Sequence, residues 1–182
     1  MDSLLKILAS RDILRATTVG VSMSRVPKRS GRESTHLQEV VRLLGGNHTV
    51  RRRLNNPLDV HEILIHGLPA TALQHLVNSL VVIHSAASLE KAVGMSVRTI
   101  QRRKKKGATK PLSQEQSGRT WKFAEILAKA TAVLGTQLEA EEWLERPAIG
   151  LDQRRPIDLL ASPAGAKIVE DFLDRLEFGV YA

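Results

Sequence analysis

The spacing of the apolar residues constrains the fold of this chain more than any other feature of its sequence. Apolar side chains recur every three to four positions along most of the 182 residues, a period that gathers them on one face of an α-helix. The strict alternation that marks a half-buried β-strand is nearly absent. With 42% hydrophobic residues, the chain can bury a sizeable core. The sequence therefore predicts an all-α protein.

Glycine, proline and serine residues between the apolar stripes predict where the helices begin and end. Helices are expected over residues 3–15, 37–46, 58–66, 70–83, 87–93, 97–106, 114–134, 136–146 and 162–179. The basic segment 20–34 is expected to be a linker, and 51–57 is expected to be another break. Among the residues expected to face the core are Leu80 and Val81 in the fourth of these helices and Ile168 in the last.

Two helix starts carry specific capping signals. Thr136 is expected to cap one helix, with the Glu139 side chain reaching back to the free backbone amides as in a capping box. Ser162 is expected to cap the last helix, with Pro163 at the first helical position, where its missing N–H costs nothing. Gly179 is expected to end that helix.

The charge of the chain is distributed unevenly. Residues 136–182 hold ten acidic and five basic side chains, a net charge of −5. Because the whole chain carries +8, residues 1–135 carry +13. This asymmetry predicts a basic front part that faces a polyanion and an acidic back part that faces a different partner.

The stretch LEKAVGMSVRTIQRRKKKG, residues 89–107, has the pattern of a helix-turn-helix. Gly94 permits a tight turn, Ser96 can cap the second helix, and Val97 and Ile100 can face inward. The outward side chains are of the types that bind bases and phosphates. The residues predicted to contact DNA are Ser96, Arg98, Thr99, Gln101, Arg102 and Lys105.

A solvated basic face or a generic RNA-binding patch would show a similar run of charges. One position departs from the usual helix-turn-helix pattern, because Glu90 lies four residues before the turn glycine, where a small residue is common. At that position the two helices are expected to cross, so Glu90 raises the question whether this module binds DNA.

No catalytic, metal or cofactor site is predicted. The six histidines form no H-x-x-x-H pair, and the sequence has no phosphate-binding glycine loop and no nucleophile elbow. The acidic residues near the C-terminus are expected to lie on solvated helix faces. We therefore expect a binding protein and not an enzyme, with no cofactor.

Membrane insertion and secretion are also not expected. The longest nearly apolar run, residues 76–83, is far too short to span a bilayer, and no secretory signal is convincing. The chain has no cysteine, which excludes disulfides and thiolate metal sites. These features predict a cytoplasmic protein.

Four stretches of the C-terminal part resemble the C-terminal domain of Xre/MbcA/ParS-type antitoxins. They are LSQEQSGR (112–119), EAEEWLERP (139–147), RPIDLLASPAG (155–165) and VEDFLDRLEFGVYA (169–182). The helix-turn-helix lies where the Xre-like module of such antitoxins lies. The resemblance implies a variable N-terminal extension (1–56), an Xre-like DNA-binding domain (57–111) and a helical toxin-binding domain (112–182).

What the resemblance implies about function is an antitoxin of a type II toxin–antitoxin system. Its partner would be a RES-domain toxin, an enzyme that consumes NAD⁺, and the antitoxin would cover the active site of that enzyme with its C-terminal region. The antitoxin would also bind promoter DNA and repress its own operon. A homodimer within a hetero-oligomeric toxin–antitoxin complex is expected, and residues 3–15 and 121–134 are candidate dimer surfaces.

Three of the six aromatic residues lie in the last eleven positions, which is unusual for a chain end. Burying one large apolar side chain is worth about 1.5–3 kcal/mol before the cost of ordering it is subtracted. The residues expected to enter or cover the toxin pocket are Arg175, Glu177, Phe178, Gly179, Val180, Tyr181 and Ala182. Phe172 is expected to complete the core of its own helix instead.

Two other functions fit the same residues. The chain could be a stand-alone transcriptional regulator whose C-terminal domain only dimerises, or an adaptor that binds no DNA. A neighbouring gene for a toxic protein would favour the antitoxin over the regulator. Salt dependence separates the adaptor, because a dimer with about eight phosphate contacts loses affinity with a log–log slope of roughly −7.

Overall fold

α-Helices make up nearly all of the regular structure in residues 29–105 and 110–179, the part of the chain that the computed structural model describes. The helices are α1 Arg29–Leu43, α2 Gly46–Val50, α3 Pro57–His66, α4 Ala70–Ser79, α5 Ala86–Val93, α6 Val97–Lys105, α7 Gln114–Leu134, α8 Gln137–Glu145, a 3₁₀ helix Ile149–Leu151, α9 Pro156–Leu159 and α10 Pro163–Phe178. Within these residues the only β-type pairing is an isolated bridge between Ala148 and Arg154. The predicted all-α fold is confirmed.

The long helix α7 is the centre of the bundle. It packs against α1, α3, α5, α8 and α10, so side chains such as Phe123, Ile126 and Leu127 are fully buried. Its predicted bounds are confirmed, and Ser113 and Gln116 form a reciprocal capping box at its start. Because the apolar stripe at 121–134 fills the core of its own chain, it is not free to serve as a dimer surface.

The N-terminal side of the bundle differs from the prediction. Residues 29–34 belong to α1 and not to a linker. The apolar face of α1 packs on α7, and this packing outweighs the weak helix propensity of Ser30, Gly31 and Ser34. Gly45 ends α1 in a left-handed conformation, and the short helix α2 that follows was not predicted. The other predictions for this side, the helix at 3–15 and the linker over 20–28, lie outside the described residues.

The helix predicted over 70–83 ends four residues earlier than expected. α4 stops at Ser79, and Leu80 adopts an extended conformation. The backbone amides of residues 81–83 bind a carboxylate from α8 instead of continuing the helical ladder. As a result Val81 is exposed, whereas the expected inward position of Leu80 is confirmed.

The caps of the C-terminal helices follow the sequence with one exception. Thr136 Oγ accepts from the Glu139 amide at 3.2 Å, but the Glu139 carboxylate accepts from the Thr136 hydroxyl and not from a backbone amide. The predicted start of α10 at Ser162 and its end at Gly179 are confirmed. Ile168, expected inward, is half exposed because the buried face of α10 runs through other positions.

Candidate functional site

The turn between α5 and α6 is built around Gly94. This residue has φ 70°, and its N–H donates to the Glu90 carbonyl at 2.8 Å to close α5. A side chain here would lie 2.7 Å from the Arg119 guanidinium. The positive φ favours glycine, and the turn has the predicted helix–turn–helix geometry.

The first turn of α6 is held by two hydroxyl groups. Ser96 Oγ accepts from the Thr99 amide at 3.3 Å and lies 3.0 Å from the Thr99 hydroxyl. Ile100 is buried and Val97 is half-buried against the core, as expected. This arrangement fixes which face of α6 points away from the bundle.

The outward face of α6 presents basic and amide side chains. Arg98, Gln101 and Arg102 are exposed, and neither arginine forms an ion pair with any residue that the structure describes. Arg103 differs, because its guanidinium donates to Gln116 on α7 at 3.3 Å. The backbone of Lys105 lies in the last turn of α6, and its side chain is outside the described part. A row of cations in this position can bind phosphates or guanine edges.

Glu90 does not lie at the crossing of α5 and α6. Its side chain is exposed, whereas Ser88, Leu89, Ala92 and Val93 form the buried face of α5. The departure from the usual pattern therefore places no carboxylate between the two helices.

A network of four charged side chains joins α5 to the C-terminal helices. Asp158 at the start of α9 lies 2.8 Å from both Lys91 Nζ on α5 and the Arg155 guanidinium. Arg155 also contacts Glu145 on α8 at 3.0 Å. The hydrogen bond from Arg155, helped by Lys91, lowers the pKa of Asp158 to about 2.

Glu141 on α8 is the most important side chain that the sequence did not lead us to predict. Its carboxylate is fully buried and accepts from the amides of Val81, Val82 and Ile83 at 2.6–3.1 Å, and from Gln137 Nε2 at 2.7 Å. The expectation that all C-terminal acids are solvated is therefore wrong at this position. The helical period could have predicted its burial, because Glu141 shares a face of α8 with Ala140 and Leu144, which point into the core.

On α10, aromatic and basic side chains stack next to one another. Phe172 stacks on Trp143 of α8 with ring centroids 5.9 Å apart, and the Arg175 guanidinium lies 5.7 Å from the centre of the Phe172 ring. Gly150 packs so tightly against Phe172 that a Cβ there would lie 2.2 Å from the ring. The expected role of Phe172 in intramolecular packing is confirmed.

The end of α10 leaves an aromatic side chain in solvent. Phe178 is 66% exposed, and Gly179 closes the helix in a left-handed conformation. Glu177 is also exposed on this last turn. The other predicted toxin-binding residues, Val180, Tyr181 and Ala182, lie outside the described part of the chain.

A cleft of about 520 Å³ lies between α5, α7 and the start of α10. The three cations that line it are already engaged by neighbouring groups. Lys122 pairs with Glu170, Lys167 pairs with Asp171, and Arg119 donates to a backbone carbonyl. The cleft therefore resembles a gap between packed helices more than an anion-binding site.

The described residues contain neither a cluster of metal ligands nor a helix suited to a membrane. Over 29–105 and 110–179, no three histidine or acidic side chains come together in a way that could hold a metal ion. In the same ranges, no helix combines the length and the apolar character needed to cross a bilayer.

Comparison with known proteins identifies both halves of the structure. Residues 59–125 match the family model of the antitoxin Xre-like helix-turn-helix domain, and residues 129–179 match that of the antitoxin Xre/MbcA/ParS C-terminal toxin-binding domain. A protein named Antitoxin Xre from Pseudomonas putida strain KT2440 is 30% identical over 157 residues, which cover 81% of this chain and 94% of the relative. The chain belongs to the Xre antitoxin family.

A second Xre antitoxin, from Yersinia enterocolitica serotype O:8, is 31% identical over 131 residues, 64% of this chain and 87% of the relative. In this chain, α5 and α6 lie inside the helix-turn-helix match, and α8, α9 and α10 lie inside the toxin-binding match. The family resemblance expected from the sequence is confirmed, and so is the order of the two modules.

Proposed function

We propose that this chain neutralises a RES-domain toxin, an enzyme that consumes NAD⁺, by covering the active site of that enzyme with its C-terminal region. The order of the two matched modules along one chain carries this proposal, because it combines a DNA-binding fold with a toxin-binding domain. In this division of labour, the protein acts by binding and has no catalytic site or cofactor of its own. It works in the cytoplasm, where NAD⁺ and the promoter are both present.

The toxin-binding end of the protein consists of Arg175, Glu177 and residues 178–182 in this proposal. The exposed Phe178 supports it, because an aromatic side chain in solvent at a helix end gains free energy when a partner covers it. Residues 112–182 form the toxin-binding domain, and residues 1–56 are an extension of the DNA-binding domain at 57–111.

The second activity in the proposal is repression of the operon that encodes the pair. In this proposal the DNA-binding residues are Ser96, just before α6, and Arg98, Thr99, Gln101, Arg102 and Lys105 within α6. The exposed arginines without ion pairs in the described structure support this assignment. Operators are commonly bound by two-fold dimers, so we include a homodimer within a larger toxin–antitoxin complex.

Co-expression with the adjacent gene tests the proposal. Expression of the neighbouring protein alone should stop growth and deplete NAD⁺, and co-expression of this chain should restore both. A neighbour that is harmless, or that fails to co-purify with this chain, would contradict the proposal and favour a stand-alone regulator.

A further inference from the structure

An apolar surface with an aromatic centre lies where α10 meets α8 and the 3₁₀ helix. We call it the α10 patch, and it consists of Trp143, Ile149, Ile168, Phe172 and Arg175. Ile168, Phe172 and Arg175 share one face of α10, at positions i, i+4 and i+7. Ile149 precedes Gly150, whose backbone lies against the Phe172 ring.

The exposure of the two isoleucines sets this surface apart from ordinary surface hydrophobics. Ile149 is 84% exposed and Ile168 is 50% exposed. Single exposed apolar residues such as Leu58 are normal on a protein surface. Here the two isoleucines accompany Trp143, Phe172 and Arg175, and aromatic and arginine side chains are the types that anchor protein interfaces.

Arg175 gives the patch a specific polar requirement. Its guanidinium stacks on Phe172 and forms no ion pair with any residue in the described ranges. Stacking leaves the edge of the guanidinium, with its N–H donors, open to a partner. A surface that covers this patch therefore needs an apolar hollow and a carboxylate that faces Arg175.

The position of the patch argues for one occupant. All five residues lie inside the toxin-binding match at 129–179, and Arg175 lies one helical turn before the exposed Phe178. A partner that covers the end of α10 is therefore within reach of the patch at Arg175. A second copy fits less well, because a two-fold contact at this surface would bring the acidic segments 136–182 of both copies together.

We propose that the α10 patch is a second docking surface for the toxin, which adjoins the chain end that covers the active site and shares Arg175 with it. This inference rests on the proposed function, because it takes the toxin as the partner. In it, the chain end blocks the pocket, and the patch supplies a large part of the affinity through an apolar and carboxylate-bearing surface of the toxin.

Charge insertion at the patch tests the proposal. Ile149→Glu and Ile168→Glu should each weaken binding of the purified product of the adjacent gene at least tenfold in titration calorimetry. Leu58→Glu is the matched control, since Leu58 is 73% exposed on α3, outside the patch, and this variant should bind within twofold of wild type. If Ile168→Glu fails to fold, Ile149→Glu decides the question, because Ile149 makes few contacts to lose.

The remaining outcomes separate this inference from the proposed function. Patch variants that bind within twofold of wild type would overturn the inference, whereas the proposed function would stand if removal of residues 178–182 still abolished neutralisation. Patch variants with unchanged toxin binding but half the mass in light scattering would also overturn it, because a second copy would then cover the patch. An adjacent gene product that never binds the wild-type chain would refute both.

Discussion

The carboxylate of Glu141 is held in the protein interior by backbone amides instead of a cation. Three consecutive N–H groups of residues 81–83 and the Gln137 amide donate to it, and it forms no ion pair with the described residues. Gln137 also donates to the Ser79 carbonyl at the end of α4. Charge-assisted hydrogen bonds of this kind offset the cost of burying the charge, and they fix the connection between α4 and α5.

Removal of this charge should destabilise the fold. We expect Glu141→Gln to lower the free energy of unfolding by about 1–3 kcal/mol, because an amide cannot accept from all four donors and leaves buried N–H groups unpaired. Glu142→Gln, one residue along on the solvent side, should change it by less than about 0.5 kcal/mol. Urea unfolding measures both, and equal stabilities for the two variants would contradict this account of Glu141.

Asp158 should make stability depend on pH in the acid range. Its pKa falls from 3.8 to about 2 in the folded state, so it stabilises the fold above pH 4, and this contribution disappears as the pH falls toward 2. Because solvent screens this half-exposed network, we expect a contribution of only about 0.5–1 kcal/mol. Asp158→Asn should therefore be less stable than wild type at pH 6, and the difference should shrink toward zero as the pH falls through about 2. A constant difference over urea titrations across that range would contradict the assignment.

At the scale of the helix, two glycines in helical positions have opposite environments. In α10, a Cβ at Gly165 would lie 2.0 Å from the Leu159 carbonyl oxygen, a backbone atom that cannot rotate away. In α7, a Cβ at Gly118 would meet nothing within 4 Å. The first glycine permits close packing of α10 on α9, and the second only weakens its helix.

Alanine at these two positions should therefore change stability in opposite directions. Gly165→Ala should lower the free energy of unfolding by about 1–3 kcal/mol, because the α9–α10 contact must open. Gly118→Ala should raise it by about 0.5–1 kcal/mol through better helix propensity. Thermal unfolding of both variants provides the measurement, and a loss of stability at Gly118 would show that this side of α7 is closed.

Helix α6 offers a test of the proposed DNA binding. Replacing Arg98 and Arg102 by alanine should weaken binding to promoter DNA by about 2–6 kcal/mol if the two contributions add, because each arginine is expected to contact a base or a phosphate. Toxin neutralisation should be unchanged. Arg146→Ala, which removes an exposed cation just after α8, should bind DNA as wild type does. Fluorescence anisotropy that showed no difference between the two sets of variants would exclude α6 as the DNA-contacting helix.

The elements that could be predicted from the sequence are those whose ends are set by residues close by in the chain. The bounds of α7, the Gly94 turn and the start of α10 depend on capping residues within three positions, so the sequence alone specifies them. The early end of α4 depends on Glu141, about sixty positions away, and no local pattern reports such a contact. The exposure of Ile168 likewise follows from which neighbours α10 meets and not from its own periodicity.

At the scale of the whole molecule, the helix-turn-helix and the toxin-binding helices share one core. The loop before α5 is bound to α8 through Glu141, and α5 is joined to α9 through Lys91 and Asp158. α7 spans the gap between the two family matches and packs on both parts. The identity of the family could be anticipated from four short motifs, whereas this connection between the two parts could not, because it consists of contacts distant in sequence.

The measurement that tests the central claim most directly is a growth assay with the protein shortened by residues 178–182. Cells that express the adjacent toxin should stop growing when they also carry this variant, although the variant should fold and bind promoter DNA as the full chain does. The full chain should restore growth in the same assay. A shortened protein that protects cells as well as the full chain would show that the C-terminal end does not block the toxin.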